Sequence, residues 1–281
     1  VDFDTAIRRA AQITFDLRYD GVPVVFSWPS RGSTLSYIGD AAVVRHSGRN
    51  LSHFLDKLVE HAGVDDIHIL AHSMGNRALT DALELMALRR AASRKTEPAF
   101  EEVLFAAPDV DAGLFRAMAE TFRTIARRMT VYGSSEDVAL DVSRRVHGDA
   151  HRAGEGGEHM ETYAGIDSID MSAAGSDMLA HSYFAEDSAA LLDMLTLIWR
   201  GSAPDKRCGL TADTQEDGVI WRLEAGKCED KRLFEVITGL RRAGITEMKE
   251  AQLYLDNLSS ELGSSDEIRT IVSKLFEETS Q

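Results

Sequence analysis

The stretch I-H-I-L-A-H-S-M-G-N-R (67–77) runs a near-continuous apolar segment into a serine boxed by small residues, Ala71-His72-Ser73-Met74-Gly75. A helical pattern begins at once behind it. A hydroxyl at the end of a buried strand is costly unless it does work. The spacing matches G-x-S-x-G, with Ala71 in the first small position. In that signature the serine sits on a sharp strand-to-helix turn and acts as a nucleophile. The small flanks are expected because a larger Cβ would clash with neighbouring backbone. The helix opening at Gly75 and Asn76 aims its amide dipoles toward the serine, which favours an oxyanion, and the Met74 N–H is the nearest oxyanion donor. The plainer alternative is a serine that only caps the following helix.

A serine hydroxyl is a weak nucleophile without a base, and the base needs an orienting group. For a nucleophile on such a turn the chain order is serine, acid, histidine. The segment Y-G-S-S-E-D-V-A-L (132–140) supplies the acid as Asp137, with Glu136 beside it as the alternative. Asp109, after an earlier strand, is the other alternative, although Asp109 and Asp111 also suit helix N-caps. His181, in A-H-S-Y-F, lies after the last strand of this region and is the expected base. His147, His151 and His159 precede that strand in a polar loop. Their irregular spacing could hold a metal, but no acid pattern accompanies it, so no metal site is expected. His72 neighbours the serine in sequence, and its side chain is expected to point elsewhere.

These residues need a scaffold. Apolar residues at helical spacing follow the cap candidates Asp2 and Asp4, then V-P-V-V-F-S-W (22–28) reads as a strand. A polar loop leads to a helix through Leu51, Phe54, Leu55 and Leu58. Strands at 67–72, 102–108, 129–134 and 166–171 alternate with helices at 76–90, 111–127, 136–146 and 186–199. Short apolar strands alternating with helices predict an α/β fold, a mainly parallel sheet covered on both faces. Right-handed crossovers then gather the loops after the strands along one edge. Past Gly201 the pattern changes to turn formers, a short strand V-I-W-R-L (219–223) and three amphipathic helices. The expected division is residues 1–200 as the main domain and 201–281 as a C-terminal extension. Its helical stripes read first as core, with a protein partner or self-association as the second reading.

The composition narrows the function classes. The 281 residues are 44% hydrophobic and 27% charged, as in ordinary globular proteins. A formal net charge of −15 argues against nucleic acid or an anionic membrane surface as the partner. No apolar run is long enough to span a bilayer. Cys208 and Cys228 alone make neither a disulfide framework nor a zinc site; they read first as reduced thiols in a cytoplasmic protein, with a single disulfide spanning that loop as the second reading.

The segments F-S-W-P-S-R-G (26–32), I-L-A-H-S-M-G-N-R (69–77), Y-G-S-S-E-D-V-A-L (132–140), R-A-G (152–154) and H-S-Y-F (181–184) occur together and in order. Over about residues 1–200 the chain resembles a bacterial, esterase/lipase-like family of α/β-hydrolases, domain of unknown function 900. The resemblance implies an α/β-hydrolase fold with Ser73, Asp137 and His181 as the triad. Family members carry a strand ending in His-Gly just before the first helix here, and the loop after it would give the second oxyanion N–H. The chain opens downstream of that strand, so its start is expected to be missing.

The combined expectation is a serine hydrolase acting on a small-molecule carboxylic ester. The loop 28–37 would line the pocket with Trp28, Arg31 and Tyr37, and no metal or organic cofactor is needed. The same triad would serve a thioesterase, amidase or acyltransferase. A non-catalytic adaptor built on this scaffold is the reading from another class.

Overall fold

Val103-Leu104-Phe105-Ala106 can be apolar at every position only where both faces of a sheet are covered. The computed structural model describes residues 2–30, 37–174, 188–224, 226–228, 231–258 and 266–277, and the statements below are made of these. Its sheet begins with β1 (Ile69–His72), β2 (Phe100–Ala106), β3 (Ala126–Gly133) and β4 (Asp167–Asp170), all parallel in that spatial order. Helices α3 (Gly75–Ala92), α4 (Ala112–Phe122) and α5 (Val138–Val146) connect them. The family resemblance and this architecture agree: the chain is α/β, with nine helices and a mostly parallel six-stranded sheet among the described residues.

Side chains alternate across the sheet with the two-residue period of a strand. Val103 and Phe105 enter a core with Leu79 and Leu83 of α3, Phe115 and Phe122 of α4, and Leu51 and Leu55 of α2 (Tyr37–His61). Leu104 and Ala106 face the other core, with Leu192 and Leu195 of α6 (Ser188–Arg200). The strand expected at 102–108 ends earlier because Ala107 adopts φ +42° and turns the chain out of the sheet before Pro108.

The tail joins this sheet. β6 (Gly218–Leu223) pairs parallel with β4, and β5 (Leu210–Gln215) returns antiparallel along its outer side. Ile220 enters the first core and Leu223 the second. The three expected helices are present as α7 (Lys231–Arg242), α8 (Met248–Asn257) and α9 (Asp266–Phe276). Leu233, Val236, Leu240, Leu255, Val272 and Phe276 are buried in the same core as α6, so their stripes are internal packing.

Three expectations change. The run 22–28 is not a strand: it forms no ladder with a described strand, and Val22 and Val24 are exposed. Pro23 lacks an N–H, and β1 pairs on its described side with β2 alone. β5 is a strand the sequence did not signal. Its residues L-T-A-D-T-Q are mostly polar, and four of the six are exposed, as an outer strand tolerates. Third, Cys208 and Cys228 are bonded, with Cα atoms 6.0 Å apart, rather than reduced. Pairing β5 with β6 brings the two flanks of the hairpin together, which sequence spacing does not reveal. The bond removes the cysteines as grounds for a reducing compartment. Among the described residues no helix is long and apolar enough to cross a membrane.

Helix α1 (Phe3–Asp16) begins as expected at Asp2, whose carboxylate accepts the Thr5 N–H at 2.8 Å. No residue within it is buried, and Leu17 just past its end reaches the core.

Candidate active site at the carboxyl edge of the sheet

Ser73 occupies the step between β1 and α3 with φ +50°, the left-handed region that a side chain with a Cβ enters only under strain. The surroundings hold it there. Its N–H donates to Ala106 O at 2.9 Å, which continues the β1–β2 pairing through the turn. Its carbonyl accepts from Asn76 N at 3.0 Å and from Asp109 N at 3.3 Å. The Asn76 side chain, fully buried, donates from Nδ2 to Ser73 O at 3.0 Å and to Ala106 O at 3.1 Å. One amide group therefore ties the turn to both strands.

Behind the serine, Met74 has helical geometry and α3 begins at Gly75. Backbone N–H groups at a helix start carry partial positive charge and suit an anion. The steric demand expected at Gly75 is not seen, because a Cβ there would meet nothing within 4 Å. The strain resides at Ser73 itself.

The two acids differ in their partners. Asp109, almost fully buried, accepts from Ser143 Oγ at 2.6 Å and pairs with Arg77 Nη2 at 3.0 Å. Arg77 Nε also donates to the Asp109 carbonyl at 2.6 Å, and Arg152 Nε lies 4.0 Å from its carboxylate. Asp109 thus anchors a buried polar knot joining α3, α5 and the loop after β2. Asp137 caps α5: its Oδ1 accepts from Ala139 N at 2.9 Å and Leu140 N at 3.1 Å. Glu136 is exposed, with Oε1 accepting from Ser135 Oγ at 3.2 Å.

Ser73, Asp109 and Asp137 follow β1, β2 and β3 in turn, so all three lie along the carboxyl edge. His181 and Arg31 fall outside the described residues, and Tyr37 opens α2 with no described side chain. Trp28 is half-buried and packs on the core that also receives Ala71 and Met74. Asn76, Arg77 and Ser143 escaped the sequence reading. Asn76 and Arg77 had a local signal, standing in the first turn after the elbow, whereas Ser143 had none.

Two further polar groups lie deep in the fold. Tyr132 Oη donates to Asp193 Oδ2 at 2.8 Å, and Arg207 Nη1 pairs with the same oxygen at 3.2 Å. Burial pushes the Asp193 carboxyl up, with Arg207 opposing the shift. Burial also pushes Glu102, on β2, up to about 8. An open cleft of about 800 Å³ runs between the end of α1 and α7, walled by Phe15, Tyr19, Pro23, Leu191 and Phe234. Ser73 is not among its walls.

A family model described as "Alpha/beta hydrolase of unknown function", domain of unknown function 900, matches residues 1–198. Neither a curated protein nor a solved structure matches the chain.

Proposed function

The chain belongs to this α/β-hydrolase family of unknown function, and from that premise we propose that it is a serine hydrolase cleaving carboxylic esters through an acyl-enzyme. The observation that carries the reading is Ser73 at φ +50° between a parallel strand and a helix. A strained left-handed serine needs several bonds to hold it, and here backbone and side-chain groups supply them.

In this reading His181 takes the proton from Ser73 Oγ as that oxygen attacks the ester carbonyl. Asp137 orients the imidazole and stabilises its charged form. The Met74 N–H donates to the tetrahedral oxyanion, the alcohol leaves with the proton from His181, and water releases the acyl group. Asp137 is preferred to Asp109 for its place in the chain order serine, acid, histidine, just past the later strand β3. Residues 1–200 carry this chemistry and residues 201–281 form an extension. Trp28, Arg31 and Tyr37 are the proposed pocket residues. Acyl transfer of this kind needs no metal or organic cofactor.

A fluorophosphonate probe tests the reading, with wild type beside Ser73→Ala. Labelling of the wild type alone is expected. A folded wild type that stays unlabelled overturns the reading, and labelling that survives Ser73→Ala moves the nucleophile elsewhere. Parallel turnover of acyl-ester, thioester and amide substrates separates an esterase from a thioesterase or amidase.

A further inference from the structure

The loop between α5 and β4 carries H-R-A-G-E-G-G-E-H (151–159), in which two histidines flank a glutamate with four-residue steps on each side. The expectation that no acid accompanies these histidines overlooked Glu155; the spacing alone is weak, but the fold makes the three residues a cluster. One ligand atom from each of His151, Glu155 and His159 lies within 4.8 Å of the others. His151 Nδ1 stands 2.8 Å from Glu155 Oε2, and the two imidazole rings are 4.4 Å apart at their centroids.

The glutamate is fixed from behind. It is buried at 8% exposure, and its Oε1 accepts the Arg152 N–H at 3.0 Å. That bond leaves Oε2 directed at His151. The backbone around it is clamped to the ends of β2 and β3. A Cβ at Gly154 would stand 2.5 Å from the Ala107 carbonyl carbon, and one at Gly156 would stand 2.7 Å from Ser134 Cα. Ser134 N donates to Gly154 O at 3.1 Å, and Ala112 N donates to His151 O at 2.9 Å. His151 and His159 are exposed, so the site is built on the protein side and open on the solvent side.

We propose that His151, Glu155 and His159 form a binding site for one divalent transition-metal ion of the zinc class. Two imidazole nitrogens and one carboxylate oxygen suit zinc and its neighbours rather than calcium or magnesium, which take oxygen ligands. In the tetrahedral geometry zinc prefers, ligands about 2.1 Å from the ion stand about 3.4 Å apart, so separations within the cluster, which reach up to 4.8 Å, close by at most about 1.4 Å as the exposed rings turn. The fourth position faces water. Arg144 Nε, 4.0 Å from Glu155 Oε1, is the nearby cation that works against the ion. The site is independent of the serine chemistry. It pins the loop after α5 at the sheet edge where Ser73 lies.

The competing account is a plain His151–Glu155 ion pair with His159 stacked beside it, and titration separates the two. Metal-stripped full-length protein is titrated with zinc chloride by calorimetry, and with cobalt chloride followed by visible absorption. We expect one zinc per chain and the intense visible bands of four-coordinate cobalt. His159→Ala and His151→Ala, at exposed positions, should stay folded and weaken zinc binding by more than about a hundredfold. His61→Ala, on α2, should bind as wild type does. Absence of stoichiometric zinc binding by the wild type, or wild-type affinity in His159→Ala, overturns the proposal.

Discussion

The Asn76 side chain donates a hydrogen bond back to the carbonyl of Ser73, 3.0 Å away, and a second to Ala106 O at 3.1 Å. The helix that follows the strained serine therefore holds the strain in place from its own first turn. Each partner in this arrangement has a measurable consequence.

Asn76→Ala leaves two carbonyls without that donor in a fully buried position. Denaturant unfolding should show a loss of about 1–3 kcal/mol. Fluorophosphonate labelling of the remaining folded protein should slow, because Ser73 is then free to relax from φ +50°. Unchanged labelling at reduced stability would show that Asn76 supports the fold but not the turn.

Ser73→Gly should unfold at higher denaturant than Ser73→Ala, by about 1–2 kcal/mol, because glycine occupies the left-handed region without Cβ strain. Both variants should lose labelling. Equal stabilities would mean that the turn relaxes without its hydroxyl and stores little strain.

The acids should separate by the kind of damage they cause. Asp137→Ala removes a helix cap, which costs about 1 kcal/mol, and labelling per folded molecule should fall by orders of magnitude. Asp109→Asn breaks a buried pair with Arg77 and should cost about 3–5 kcal/mol. Ser143→Ala perturbs Asp109 more gently and should leave labelling nearly intact. Labelling retained in Asp137→Ala and lost in Ser143→Ala would reverse the assignment.

Glu102 supplies a pH dependence. Its folded pKa, raised by burial from 4.5 to about 8, means that the folded chain holds a proton that the unfolded chain has released. Stability from this group is therefore complete below about pH 4.5 and declines as pH rises through about 8. Glu102→Gln mimics the protonated form. Urea midpoints of wild type minus Glu102→Gln should fall from pH 5 toward about pH 8. A constant difference would show that Glu102 is ionised at neutral pH.

Reduction of Cys208–Cys228 opens a crosslink between residues 20 apart and should lower stability by about 3 kcal/mol on the chain-entropy account. Hydrogen exchange should accelerate first in residues 210–223, the hairpin that the bond closes against β4. Loss of protection spread evenly over the sheet would instead make the bond a global fastener.

Much of this architecture was legible in the amino-acid order. The apolar runs at β1 to β4 and the helical periods between them are local properties, and each element formed close to its expected place. The elbow at Ser73 was legible for the same reason, since small residues, strand and helix lie within eleven positions. The three tail helices followed from their stripes. What needed the folded chain was every pairing between distant segments. Residues 22–28 have the composition of a strand but no ladder partner among the described residues. β5 has the composition of a loop but pairs because β6 lies beside it. The Cys208–Cys228 bond follows from the β5–β6 pairing, whereas the Arg77–Asp109–Ser143 knot and the meeting of His151, Glu155 and His159 depend on how the loops after β2 and α5 pack. Periodicity and turn chemistry act over a few residues and can be read along the chain, whereas these contacts are chosen by the packing of both cores together, which no single segment encodes.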